Sequence, residues 1–136
     1  MDLRSWAFSG WAKLPGSTPS APSTASDGHT VWLAVRGMDN GIYLNRLNGL
    51  GWSGWRRISG STVAAPAIEF KDVRVVPVVY AIPALHLAVI GSDGKSIWYT
   101  QVNDDIFYNH QYIHLAHWSK ILGTSPSPVA LAHIPP

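Results

Sequence analysis

The sequence contains no cysteine, which removes a disulfide framework and thiolate chemistry and leaves the redox compartment open. Charge is also scarce. Asp, Glu, Lys and Arg make up 13% of the 136 residues, against 46% hydrophobic residues. A solvated disordered chain and a long coiled coil are excluded by that balance. Ten Lys and Arg against eight Asp and Glu give a formal net charge of +2, and no basic run exceeds the pair Arg56–Arg57. A groove that tracks phosphates normally needs a clustered basic patch, so no nucleic-acid partner is expected. Long apolar runs are missing too. The longest, Val75 to Leu85, is interrupted by Pro77 and Pro83, so no membrane span is expected. Residues 1–11 carry Asp2 and Arg4 but no apolar core of a signal peptide. The compartment stays open, and action outside the cell is compatible with it.

Aromatic residues and turn formers are plentiful. Seven Trp, five Tyr and three Phe stand beside 12 Gly and 10 Pro. The Trp residues recur in a pattern. Trp11-Ala-Lys-Leu-Pro-Gly16, Trp55-Arg-Arg-Ile-Ser-Gly60 and Trp118-Ser-Lys-Ile-Leu-Gly123 each lead to a proline, Pro22, Pro66 or Pro128. Phe8-Ser-Gly-Trp11 matches Trp52-Ser-Gly-Trp55, with Leu115-Ala-His-Trp118 as a degenerate copy. Between these motifs, Leu33-Ala-Val-Arg-Gly37-Met-Asp39-Asn-Gly-Ile42-Tyr43 aligns with Leu87-Ala-Val-Ile-Gly91-Ser-Asp93-Gly-Lys-Ser-Ile97-Trp98, with one residue inserted in the turn. The period is 44 residues from Trp11 to Trp55 and 63 from Trp55 to Trp118. The longer period must hold insertions, expected at 71–84 and 103–114.

The repeat is built of strands. Val31 to Arg36 is β-rich, Asp39-Asn40-Gly41 turns, and Ile42 to Arg46 continues. Asn-Gly between such runs is a strong hairpin signal, which predicts positive φ at Gly41 and, in the second copy, at Gly94. Trp52 to Ile58 reads as a further short strand, Gly60 to Ala65 as a loop, and Pro66 to Phe70 as the opening of the next unit. Four short strands in about 44 residues is the signature of a β-propeller blade. The fold expected is therefore all-β, a β-propeller of four-stranded blades with two to three blades per chain. The repeats fall at about 11–54, 55–117 and 118–136, with a partial N-terminal blade at 2–10, in a single domain over 1–136. So few blades leave apolar faces open, so the chain either assembles with copies of itself or is a piece of a longer or partnered propeller; closure by oligomerisation of two or three copies into a ring is the solution expected.

The strings Val35-Arg-Gly-Met-Asp-Asn-Gly-Ile-Tyr43, Gly51-Trp-Ser-Gly-Trp55 and Ala65-Pro-Ala67 resemble the repeat of PLL-like lectins, β-propeller lectins of the Photorhabdus lectin type. The resemblance covers residues 6–70 well and 85–132 in part; 71–84 and 103–114 match nothing in it. It implies a carbohydrate-binding lectin with shallow, multivalent sites between neighbouring blades. The implied partners are glycans, fucosylated or related sugars; other copies of the chain are expected from the blade count, and no cofactor is expected.

Candidate site residues carry two readings each. Trp11, Trp55 and Trp118 either fill the wedge between blades or offer an aromatic platform to the C–H face of a sugar. Trp98 departs from the repeat, as does Trp52, which suggests exposure. Asp39 and Asp93 are turn formers or hydroxyl acceptors. Arg36 pairs with Asp39 or donates to a ligand. The expected site lies in the wedge where Trp55 meets Ser92, Asp93 and Trp98. Arg36, Asp39 and Tyr43 form the edge of the preceding wedge, facing Trp11. His110, His114 and His117 have helical spacing, but the only Glu is Glu69, so a zinc enzyme lacks its usual general base. There is no nucleophile elbow, P-loop or dinucleotide fingerprint, and no catalytic activity or metal site is expected. The alternative function is a non-catalytic structural or protein-interaction propeller module.

Overall fold

The computed structural model describes residues 10–49, 51–75, 80–103 and 117–130. They form nine strands and, among the described residues, no helix: β1 (Ser23–Ser26), β2 (Val31–Arg36), β3 (Gly41–Asn48), β4 (Gly51–Trp52), β5 (Arg56–Ser61), β6 (Ala67–Val75), β7 (Tyr80–Ile90), β8 (Ser96–Asn103) and β9 (Ser119–Thr124). The all-β expectation holds. The strands make two antiparallel sheets. In the first the order is β1-β2-β3, with β4 and β5 both paired to β3; in the second it is β6-β7-β8-β9.

The second and third strands of each sheet are joined by matching hairpins. Asn40 N–H donates to Gly37 O (3.0 Å) and Gly94 N–H to Gly91 O (2.9 Å). The residue after each turn takes positive φ, 64° at Asn40 and 76° at Gly94. Gly94 meets the sequence expectation. Gly41 does not, because it already opens β3 and Asn40 takes the left-handed position instead. Asn tolerates that conformation through local hydrogen bonding, and here its Oδ1 accepts from Arg36 Nε (2.9 Å).

The short strand expected over 52–58 is divided. Asn45 Oδ1 accepts from the N–H groups of Arg46 (2.8 Å) and Gly54 (3.0 Å), and Ser53 N–H donates to Arg46 O (2.8 Å). The Asn45 side chain thereby stands in for a ladder rung where the chain bulges between β4 and β5. The insertion at 71–84 lengthens a hairpin rather than adding a loop, with β6 and β7 paired from Ala67↔Ala88 to Val75↔Tyr80. The insertion expected at 103–114 falls, apart from the end of β8, outside the described residues, and His110 and His114 lie there with it.

The core sits between the sheets. Alternation along each strand sends Trp32, Ala34, Ile42, Leu44 and Ile58 of the first sheet into one cluster with Ile68, Leu85, Leu87, Val89 and Val102 of the second. Trp32 stacks on Phe70 across this layer, with ring centroids 4.8 Å apart. The same alternation turns Leu33 and Val35 to the opposite face of the first sheet.

The threefold sequence repeat is also a structural one. Seven residues after each repeated Trp stand Thr18, Thr62 and Ser125. Each hydroxyl accepts from the N–H two residues on and donates to that residue's carbonyl. Beyond the first two turns the chain enters β1 and β6. Ala21–Thr24, Ala65–Glu69 and Pro128–Ala130 line one common cavity of about 300 Å³, and Ile68 N–H donates to Ser23 Oγ across it (3.3 Å).

Candidate functional site

The site begins with how the repeated Trp is held. Trp55 Nε1 donates to Pro15 O (2.8 Å) and Trp118 Nε1 donates to Ser59 O (2.7 Å). Each indole therefore reaches back to the previous copy of its own motif. In the Trp118 case the acceptor lies in a bulge of β5. Ile42 pairs with Ile58 and Gly41 with Ser61, so the register on β3 shifts across Ser59 and Gly60. The glycine beneath makes room. Gly16 and Gly60 hold φ of 101° and 102°, and a Cβ on Gly60 would lie 2.6 Å from Trp118 Nε1.

Next to the Trp55 seat is a cavity of about 480 Å³. Its apolar base comes from the face of the first sheet that the core does not use, through Leu33, Val35 and Tyr43. The segment Leu14–Thr18 forms one wall, Trp55 another, and the β2–β3 hairpin with Met38 and Asp39 makes the rim. Met38 is exposed. The arrangement offers aromatic and aliphatic surface with a carboxylate at its edge.

That carboxylate is organised by its own loop. Asp39 Oδ1 accepts from Gly41 N–H (2.8 Å) and Oδ2 accepts from the Tyr43 hydroxyl (2.9 Å). These bonds hold the Asp39 carboxyl below its ordinary pKa and push the Tyr43 phenol up. Each carboxylate oxygen keeps a second lone pair that a ligand hydroxyl can use. Gly37 is required under this corner, because a Cβ there would lie 2.5 Å from both Asp39 Oδ1 and the Tyr43 ring.

Of the expected site residues, the cavity brings together Asp39, Tyr43 and Trp55. Arg36 is turned to Asn40 rather than to Asp39. Trp11 is not among the lining residues and is 95% exposed. Ser92, Asp93 and Trp98 build the equivalent corner of the second sheet, where Trp118 stands in the position of Trp55. Asp93 accepts from Lys95 N–H (3.0 Å), from Ser96 N–H (2.8 Å) and from the Ser96 hydroxyl. The Ser96 hydroxyl first, then the two N–H groups, hold its carboxyl down at about 2. Trp98 occupies the room that Tyr43 has in the first corner, with its Nε1 2.7 Å from where a Gly91 Cβ would be.

Leu33, Val35, Met38 and the segment 14–18 are not among the residues expected at the site from sequence. The signal for the first two was present in the alternation of β2, since a face opposite Trp32 and Ala34 needs either a cover or a ligand. Among the described residues no group of three His, Asp or Glu side chains is placed to hold a metal ion, and no helix is long and apolar enough to cross a membrane. No protein-family model, curated protein or solved structure matches the chain.

Proposed function

We propose that the chain is a carbohydrate-binding module assembled from β-propeller blades, with glycans bound in shallow sites between neighbouring sheets. The observation that carries this reading is the cavity beside Trp55, in which Tyr43, Leu33 and Val35 meet the Asp39 carboxylate at the rim. A pyranose presents an apolar C–H face and a ring of hydroxyls, and those surfaces suit an indole wall and a preorganised carboxylate. The resemblance of residues 6–70 to PLL-like lectin repeats supports the same class. The propeller reading is supported by three equivalent segments around one cavity, after the turns at Thr18, Thr62 and Ser125, and by Trp contacts that step from one copy of the motif to the next. On this reading two or three copies close one ring, and repetition of weak sites supplies avidity.

A second reading is a non-catalytic interaction module in which every repeated aromatic is packing. It is favoured by Asp39 and Asp93, whose oxygens bond their own loops. Calorimetric titration with a panel of fucosylated and related sugars separates the two. Trp55→Ala is expected to weaken sugar binding by about tenfold, or about 1.4 kcal/mol. Trp55→Phe, which keeps an aromatic face and loses only the bond to Pro15 O, should lose less. Full affinity in folded Trp55→Ala removes the platform role, and a flat response of the wild type to all sugars leaves the interaction module.

A further inference from the structure

A cation stands two residues after each repeated Trp, at Lys13, Arg57 and Lys120. In both sheets the ladder sets it across from an aromatic residue. Val35, Tyr43 and Arg57 lie in one row of the first sheet, and Val89, Trp98 and Lys120 in one row of the second. Residues opposite each other across a ladder share a face. Arg57 therefore lies on the face that carries Leu33, Val35 and the cavity beside Trp55.

The hairpin brings a carboxylate to each row. One point above Gly41, where a Cβ would be, is 2.7 Å from Arg57 Nε, 2.9 Å from Asp39 Oδ1 and 2.9 Å from the Tyr43 ring. After the bonds from Gly41 N–H and the Tyr43 hydroxyl, the Arg57 charge also holds the Asp39 carboxyl down. Lys120 does the same for Asp93 after the Ser96 and Lys95 bonds. Arg57 is exposed, and its guanidinium donates no hydrogen bond to a described residue. An exposed cation on an outer strand also discourages pairing with other strands. That role asks for neither an aromatic neighbour nor a carboxylate, and the rows supply both.

The pair decides what kind of group it reads. An anion attracted by Arg57 is repelled by Asp39 at nearly the same range, and an ammonium attracted by Asp39 is repelled by Arg57, so a charged substituent gains little. A neutral hydroxyl both donates and accepts, and two adjacent hydroxyls of a pyranose take the two jobs at one place. We propose that Arg57 is a specificity-determining residue of the glycan site: one hydroxyl of a neutral sugar donates to Asp39, and the adjacent hydroxyl accepts from the Arg57 guanidinium. Hydrogen bonds to ionised groups are the strong ones, and this pair fixes the orientation of the ring. The inference rests on the glycan reading and deepens it by naming the class of sugar, neutral with a vicinal diol, and by ranking uronic acids and amino sugars below it.

Calorimetric titration tests it with a neutral fucosylated oligosaccharide, its monodeoxy derivatives and a glucuronic acid-terminated counterpart. Arg57→Met, which keeps the length of the side chain, is expected to weaken binding of the neutral sugar by about tenfold, with an unchanged far-ultraviolet dichroism spectrum. Arg57→Lys, which keeps the charge and loses the planar fork, should lose less. One monodeoxy derivative should bind the wild type and Arg57→Met equally, because the hydroxyl that Arg57 reads is gone. The wild type should bind the glucuronic acid counterpart more weakly than the neutral sugar. A wild type that binds no sugar overturns the glycan reading and the Arg57 role with it. A wild type that binds the neutral sugar, beside a folded Arg57→Met of equal affinity, overturns the Arg57 role alone. So does a loss in Arg57→Met that is the same for every monodeoxy derivative, which marks a structural effect. Tighter binding of the glucuronic acid counterpart by the wild type overturns the assigned class.

Discussion

Asp93 shows how much one short side chain organises at a hairpin. Its carboxylate accepts from the Ser96 hydroxyl and from two backbone N–H groups, and its pKa is lowered from 3.8 to about 2. A carboxyl depressed on folding stabilises the folded state above its unfolded pKa and loses that contribution as pH falls through the folded value. Asp93→Ala should therefore cost its full stability difference at pH above 3.8, and the difference should shrink towards pH 2. Urea denaturation of both proteins across that range checks this; a difference that is constant with pH contradicts it. Asp27 and Asp39 are lowered as well, so the Asp93→Ala variant keeps an acid-sensitive limb. The role of Asp39 and Asp93 as turn formers was legible from sequence, because Asp followed by Asn or Gly between β-rich runs has few other uses. Which residue takes positive φ was not. Asn40 and Gly41 both tolerate that conformation, and the choice is made by where β3 regains its register with β2. Gly41 matters for space instead, since a Cβ there would lie 2.7 Å from Arg57 Nε and 2.9 Å from Asp39 Oδ1.

At the scale of elements, the strands and their order followed from periodicity, while their irregularities depended on single side chains. Val31 to Arg36 and Ile42 to Arg46 lie where alternation and turn residues put them. The division of the expected 52–58 strand rests on Asn45, buried and bonded to Arg46 N–H and Gly54 N–H. No local pattern marks an Asn that replaces a ladder rung nine residues away. Asn45→Ala leaves those donors unpaired in a buried setting and should cost about 1–3 kcal/mol, read as a lower urea midpoint; an unchanged midpoint shows that the bulge holds itself. Ile58→Ala opens the inter-sheet cluster and should cost about 2–5 kcal/mol. Ile121→Ala, at the matching position on the exposed β9, should cost less in a single-chain state, and equal losses would contradict the assigned faces. The unmatched stretch 71–84 was legible as an insertion because it breaks the repeat. Its pairing as a longer β6–β7 hairpin was not, since an apolar run with two prolines fits a loop equally well.

For the whole molecule, the repeat is the organising fact. Trp55 and Trp118 each tie their sheet to the motif before it, while the core face of one sheet meets the next through Trp32 and Phe70. The proposed glycan site lies in what this stacking leaves uncovered. The face of the first sheet holding Leu33 and Val35 is bordered by residues 14–18 and by Trp55, and that border encloses the cavity to which glycans are assigned. Sequence alone singles out Asp39, Tyr43 and Trp55, which line one cavity, but groups Trp55 with Ser92, Asp93 and Trp98, because adjacency along the chain does not give adjacency across a wedge. The backward reach of each indole, from Trp55 to Pro15 and from Trp118 to Ser59, sets the grouping instead.

Glycan binding beside Trp55 is tested most directly by the indole N–H resonances in a two-dimensional proton–nitrogen spectrum recorded while a fucosylated oligosaccharide is added. Trp55 and Trp118 make the same bond to a preceding carbonyl, so each serves as the other's control. The expected result is a saturable shift of the Trp55 signal with little movement of Trp118, abolished in Trp55→Phe, which has no indole to report, and matched there by weaker calorimetric binding. A spectrum in which no sugar of the panel moves the Trp55 signal, while the protein stays folded, would contradict the assignment of the cavity to glycans.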